Sequence, residues 1–344
     1  MMKALKNATQ NAKKAHVLQR LIRLMLVGLV LCGVQGAMFV FAQERWQPAL
    51  SASGELIGQK LVVGMGSAPF PHPARAQGHT YKGASYPAER HYRDSSVMIF
   101  LPTGFDERSA FDVVVYVHGW YNSIDSASAQ FQLLEQFAAS RVNAAFVFPE
   151  GPKFAPDSFG GKLEESQGLM RLLDDVVACL HRNNHGRLHV RNVVLAGHSG
   201  AYRAMAAMLE VGGVAVREVW LFDALYGQSE KFVRWMSGTC AHHGRDGVKG
   251  RCIAIYTNDG GTKEVTEGVI HELEAARIPL RRYEESQLIE SPGFPQDLSP
   301  SGCVFIHTDL EHNEVIAKRR QLQAYLQTSC LSKLPAESRR SERK

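Results

Sequence analysis

Ser199 lies in the run Val193-Val194-Leu195-Ala196-Gly197-His198-Ser199-Gly200-Ala201-Tyr202, where an apolar stretch meets a glycine-flanked bend and then a helix-like stretch. A nucleophile on so sharp a strand-to-helix reversal needs small neighbours two residues away on each side, because their backbones meet there. Gly197 and Ala201 meet that requirement. The bend also aims the serine at the N-terminus of the following helix, whose unpaired N–H groups favour the negative charge that builds up in acyl transfer. The short pattern by itself is common in proteins. The apolar run before it and the helical pattern after it are what single it out.

A serine hydroxyl attacks poorly until a base removes its proton, so a histidine must reach it. Of the fourteen histidines, His312 is placed best. It follows the last strand-like run, Cys303 to Thr308, after a short acidic loop, and it precedes the helical pattern Asn313 to Leu326. His307 sits inside the strand-like run and reads as a core residue. His198 adjoins the serine and is expected to point away from it, and His118, His242 and His243 fall elsewhere. Two carboxylates can orient the base. Asp223 ends the apolar run Val219-Trp220-Leu221-Phe222, and Asp259 stands in Asn258-Asp259-Gly260-Gly261 after the next one. A carboxylate at the end of an apolar strand is costly unless paired, which favours Asp223, whereas Asp-Gly is also an ordinary turn dipeptide.

Charge developing on the substrate needs N–H donors. Gly200 would supply one, and the loop Val117-His118-Gly119-Trp120 the other, with Gly119 admitting a close approach and Trp120 and Tyr121 lining the pocket. A Pro- and Gly-rich stretch, Phe148 to Glu164, follows another strand-like run; Asp157, Lys162 or Glu164 in it is expected to bind a polar substrate group, or else the stretch merely turns the chain.

These residues need a frame that brings them together. Short apolar runs predict strands at Val97 to Leu101, Val113 to Val117, Ala145 to Phe148, Val193 to Ala196, Val219 to Phe222, Ile253 to Tyr256 and Val304 to His307. Between them, helical spacing predicts helices over Ala127 to Ser140, Glu165 to Arg182, Tyr202 to Glu210, Glu230 to Met236, Lys263 to Ala276 and Asn313 to Leu326. Such alternation implies an α/β fold, a mostly parallel sheet with helices on both faces. In such sheets ligands bind beyond the carboxyl ends of the strands, where Ser199, Asp223 and the loop after Val117 would stand.

With the His-Gly loop, the Gly-His-Ser-Gly-Ala turn and the late histidine in this order, residues 95 to 330 resemble the α/β-hydrolase superfamily. The resemblance implies a Ser-acid-His mechanism on Ser199, Asp223 or Asp259, and His312, without cofactor or metal. An acid at Asp223 is similar to the arrangement in pancreatic-type lipases. Ala201, where the superfamily most often has glycine, is a mild departure.

The remaining composition bounds the function. The net charge of +5 is concentrated at the ends, in Lys3, Lys6, Lys13, Lys14, Arg20 and Arg23 and in Arg339, Arg340, Arg343 and Lys344, so it gives little support to nucleic-acid binding. The basic start runs into the uncharged apolar stretch Leu24 to Ala42. That pattern reads as a signal peptide cleaved after Ala42, or as an uncleaved inner-membrane anchor, since about 20 apolar residues span a bilayer. Either places the chain in the periplasm or outside the cell. Residues 43 to 94 read as a wrapping segment with one strand near Lys60 to Val63, and residues 331 to 344 as a charged, disordered tail. In an oxidising compartment Cys240 could bridge to Cys252 and Cys303 to Cys330, leaving Cys179 free, or the cysteines are buried thiols. The expected activity is hydrolysis of a carboxylic ester, less readily an amide, on a small-molecule or acyl substrate. The same residues also permit acyl transfer to another acceptor, and a silent hydrolase fold could serve as a cell-envelope binding module.

Overall fold

The computed structural model describes residues 45–106, 110–181, 189–240, 250–258, 261–298 and 301–335. The expected leader over residues 1 to 42, His242, His243, Asp259 and the tail from residue 336 lie outside the described residues.

Among the described residues twelve strands are β1 Gln47–Leu50, β2 Leu56–Gly64, β3 His79–Tyr81, β4 Ala84–Tyr86, β5 Ser96–Pro102, β6 Ala110–Val117, β7 Ala144–Pro149, β8 His189–His198, β9 Glu218–Phe222, β10 Arg251–Tyr256, β11 Leu280–Glu284 and β12 Gly302–His307. The described helices are α1 Ala88–His91, α2 Ile124–Gln130, α3 Leu133–Ala139, α4 Gly168–His181, α5 Tyr202–Val211, α6 Ser229–Trp235, α7 Thr262–Ala275, α8 Glu285–Glu290 and α9 Gln321–Gln327. Ten strands form one sheet in the order β1-β2-β5-β7-β6-β8-β9-β10-β12-β11, and β3 and β4 pair as a separate hairpin. From β7 to β11 every neighbour is parallel, while β1, β2 and β5 pair antiparallel with their neighbours.

The central strands are apolar at nearly every position because both faces are covered, and successive residues alternate between two cores. Val113, Val115 and Val117 of β6 join Val193 and Leu195 of β8 under α4, α5, α6 and α7. Val114 and Tyr116, with Val194, Ala196, Trp220 and Phe222, face the other way, under α2, α3 and α9. Each of the seven expected strands is present.

The departures from expectation have physical causes. The sheet begins at Gln47, ahead of Ser95: the strand expected near Lys60 to Val63 is part of β2, and it pairs with β1, whose exposed outer face hides its strand pattern, so residues 45 to 64 are an edge hairpin rather than a surface wrap. β11 reads Leu-Arg-Arg-Tyr-Glu and was not expected, because an edge strand tolerates charge. The helix expected over Ala127 to Ser140 breaks at Gln132, which is left-handed at φ 48°. The break lets Phe131 and Leu133 both bury completely, whereas one continuous helix would set residues two apart at about 200°. The helix expected from Asn313 is a series of turns up to residue 319, and the regular helix starts only at Gln321, after left-handed Arg320. The chain also stays packed past residue 330: Leu331 is buried, Lys333 forms a β-bridge with Val142, and Lys333 Nζ donates to Leu326 O at 2.7 Å. Cys240, Cys252, Cys303 and Cys330 form no disulfide, so neither the Cys240–Cys252 nor the Cys303–Cys330 bridge is present.

Candidate active site

The turn after β8 carries Ser199 at φ 55°, a left-handed conformation that costs a non-glycine residue roughly 1–2 kcal/mol. What holds it is close packing on both sides. A Cβ on Gly197 would fall 2.4 Å from Met205 Sδ and 2.6 Å from Ala201 Cβ, so the small residues at both positions are a steric condition of the turn. A Cβ on Gly119 would fall 2.6 Å from Ser199 Cβ and 3.1 Å from its Oγ, which puts the loop after β6 directly against the serine. Trp120 lies over Gly200: a Cβ there would meet its indole at 2.4 Å, and Trp120 Nε1 donates to Ser158 Oγ at 2.8 Å.

Asp223 is the first residue after β9, left-handed at φ 44° and fully buried. Its carboxylate accepts from the Thr257 N–H at 3.1 Å, from the Thr257 hydroxyl at 2.9 Å and from the Thr262 hydroxyl, and it meets His312 Nδ1 at 2.6 Å. Burial works against its charge. The bonds from His312, Thr262 and Thr257 outweigh that and hold the carboxyl below its ordinary range. A carboxylate accepts, so Nδ1 of His312 carries the proton and Nε2 is left to act as base. The Tyr226 hydroxyl lies 3.5 Å from the same Nδ1, and burial together with the Asp223 charge pushes its phenol up to about 12. The structure thus brings Asp223 to His312, both beyond the carboxyl edge of the sheet to which Ser199 also belongs.

Beneath Gly119, His118 is buried with Nδ1 at 2.7 Å from the Gly119 carbonyl oxygen. Its Nε2 lies 3.0 Å from both Glu150 Oε1 and the Gly151 N–H. Sequence reasoning left His118 and Glu150 out of the site. Their signal was a histidine and a glutamate, each directly following a buried strand, where an unpaired polar group is costly.

Several expectations are corrected. Asp157, expected to bind a polar substrate group, is held by the protein itself: it accepts from Arg75 Nε at 2.7 Å and Nη2 at 3.2 Å, from the Tyr92 hydroxyl at 3.2 Å and from the Phe159 N–H at 3.0 Å. Despite its burial, these partners keep its carboxyl below the ordinary range. Lys162 donates to Gly66 O, and Glu164 is taken up by Gly160 N and Arg203, so the whole stretch is tied down internally. His307 is not a core residue; at the carboxyl end of β12 it stands 2.8 Å from Glu284 and 2.9 Å from Asn258. His198 does not stand apart from the site, since its ring lies 4.6 Å from that of His312. Trp120 and Tyr121 are 37% and 54% exposed, and Tyr81 of the β3–β4 hairpin packs edge-on against Trp120 at 5.2 Å. Among the described residues no group of three His, Cys, Asp or Glu could hold a metal ion, and no helix is long and apolar enough to cross a membrane.

No protein-family model matches the sequence, and no curated protein sequence matches it. Solved structures do resemble it. The feruloyl esterase module from Clostridium thermocellum, in complex with sinapinate, aligns with a TM-score of 0.47 at 10% identity, over 83% of this chain and 93% of that one. Fluorophosphonate-binding serine hydrolase F of Staphylococcus aureus gives 0.45 at 8% identity over 78% and 97%. An S-formylglutathione hydrolase from Agrobacterium tumefaciens gives 0.42 at 11% identity over 82% and 95%. Independently of these likenesses, one antiparallel strand, β5, set within an otherwise parallel run from β2 to β12, a left-handed serine after the central β8, and a late histidine on an acid from β9 make this chain an α/β-hydrolase fold.

Proposed function

We propose that this protein is an exported serine hydrolase that cleaves carboxylic esters through an acyl-enzyme on Ser199. The observation that carries the reading is the 2.6 Å contact of His312 Nδ1 with buried Asp223, on the same edge of the sheet as the strained serine. His312 Nε2 takes the Ser199 proton as Oγ attacks the ester carbonyl, and the resulting imidazolium is stabilised by Asp223. The proton then passes to the leaving alkoxide, the ester C–O bond breaks, and the alcohol departs. Water, deprotonated by the same imidazole, attacks the acyl-serine and releases the acid.

The tetrahedral oxyanion needs donors. The N–H of Gly200, at the start of the short turn into α5, is one. The other is the N–H of Trp120. His118 holds the Gly119 carbonyl oxygen, and in a trans peptide the N–H points opposite to the C=O, away from His118. Esters are favoured over amides because an alkoxide leaves with less help than an amine. Export rests on the basic start and the apolar stretch Leu24 to Ala42.

The test is labelling with a fluorophosphonate probe together with turnover of a panel of aryl and alkyl esters. Wild type should label and hydrolyse, and Ser199→Ala should do neither. Folded wild type that leaves every ester and the probe untouched would overturn the reading.

A further inference from the structure

We propose that His198, the residue before the serine, is a positioning residue for His312: its Nε2–H holds the His312 backbone oxygen, and its ring supports the His312 imidazole. The inference rests on the catalytic reading of Ser199 and His312. His198 Nε2 lies 3.0 Å from His312 O, and since a carbonyl oxygen only accepts, Nε2 carries the hydrogen. The two rings lie 4.6 Å apart at 31°, and the His198 ring also meets Phe131 edge-on at 4.9 Å.

The need for such a support follows from the local backbone. His312 stands in a run of turns ahead of the regular helix at Gln321, held along the chain by the turn that the Glu314 N–H closes onto Glu311 O at 2.8 Å rather than by a helical ladder. Asp223 holds one imidazole atom. A single hydrogen bond leaves the ring free to swing about the bond, and His198 supplies two further constraints, one on the backbone and one on the ring face. Because His198 ends β8 and Ser199 follows it, the support is built on the same strand as the nucleophile. A displacement of the nucleophile and its base relative to each other is thereby restrained at both ends.

The chemistry also requires this support to stay uncharged. Burial, and next the His312 charge beside it, push the His198 imidazole down to about 3, the opposing influences of the His312 hydrogen bond and Asp223 being smaller. A neutral ring does not compete with the imidazolium that forms on His312 during attack.

The test compares His198→Phe, which keeps a ring without the donor, with His198→Gln, whose amide reaches the Nε2 position, and with His198→Asn, whose amide stops short of it. Steady-state kinetics on an ester are read with the proton NMR resonance of the His312 Nδ1–H and a thermal melt. His198→Phe and His198→Asn should lower kcat about 10²-fold with KM little changed, and should broaden the Nδ1–H resonance; His198→Gln should recover most of both. Wild-type kcat and a sharp resonance in His198→Phe would overturn the proposal. So would a loss that His198→Gln and His198→Asn share equally, the comparison that remains if His198→Phe does not fold. Ester hydrolysis surviving in Ser199→Ala would sink the catalytic reading instead, and the resonance would still report whether His198 holds His312.

Discussion

Asp223 and His312 are 89 positions apart in the chain and 2.6 Å apart in space, and the acid is buried, with Thr257 and Thr262 on its remaining lone pairs. Both threonines fix the carboxylate from the β10 side, so the imidazole meets an acceptor that is already oriented. Asp223→Asn should therefore leave the protein folded while lowering kcat by about 10³–10⁴-fold, because an amide can donate to Nδ1 and stabilise the wrong tautomer. Kinetics with circular dichroism check it; a variant within tenfold of wild type would remove Asp223 from the mechanism.

Gly119→Ala should impair turnover far more than folding. The added Cβ would fall 2.6 Å from Ser199 Cβ and 3.0 Å from the His198 carbonyl, so either the serine or the loop must move. A shift of that size costs on the order of 10²-fold in kcat. The expected signature is a large loss of esterase rate and weak fluorophosphonate labelling at a nearly unchanged melting temperature.

Arg75→Ala tests the tie between the segment before the hairpin and the loop after β7. It strips the bidentate partner from buried Asp157, leaving the Tyr92 hydroxyl and the Phe159 N–H to hold a charge. Breaking such a pair typically destabilises by about 3–5 kcal/mol, and Asp157→Asn in the same background should recover part of it. Denaturant unfolding of the two variants measures this directly. A single-variant loss under about 0.5 kcal/mol would mean that the pair is a surface contact in its effect.

Acid should unfold the protein through the same two carboxylates. Asp157 and Asp223 are both held below their ordinary range in the fold, by Arg75 and Phe159 in one case and by His312, Thr262 and Thr257 in the other, against the burial that opposes their charge. A depressed folded-state value means that the stabilisation is present above the unfolded value of about 4 and is lost as pH falls towards the folded one. Thermal melts from pH 6 downward should therefore fall most steeply below about pH 4, and Asp157→Asn should flatten that fall.

The α/β arrangement, the seven inner strands and the serine turn are legible in the chain because each rests on local rules. Buried parallel strands read as apolar runs, and a tight reversal demands Gly197 and a small residue at Ala201. Edge elements such as β1 and β11 escape that reading, since half their surface is in water and their composition is free to vary. The partners of polar groups escape it too. Asp157 looks like a loop carboxylate open to a ligand until the fold brings Arg75 to it from 82 positions away. His198 looks like a bystander until His312, 114 positions later, comes to rest on its ring. Along the chain Asp223 was favoured as the acid that meets the late histidine but not decided, because Asp223 and Asp259 both follow apolar strands. The register of β9 beside β10 and the path of the loop after β12 bring His312 to Asp223. Backbone pattern is written locally in residue type, whereas hydrogen-bond partnership across a sheet edge depends on chain segments that meet only once the two cores have packed.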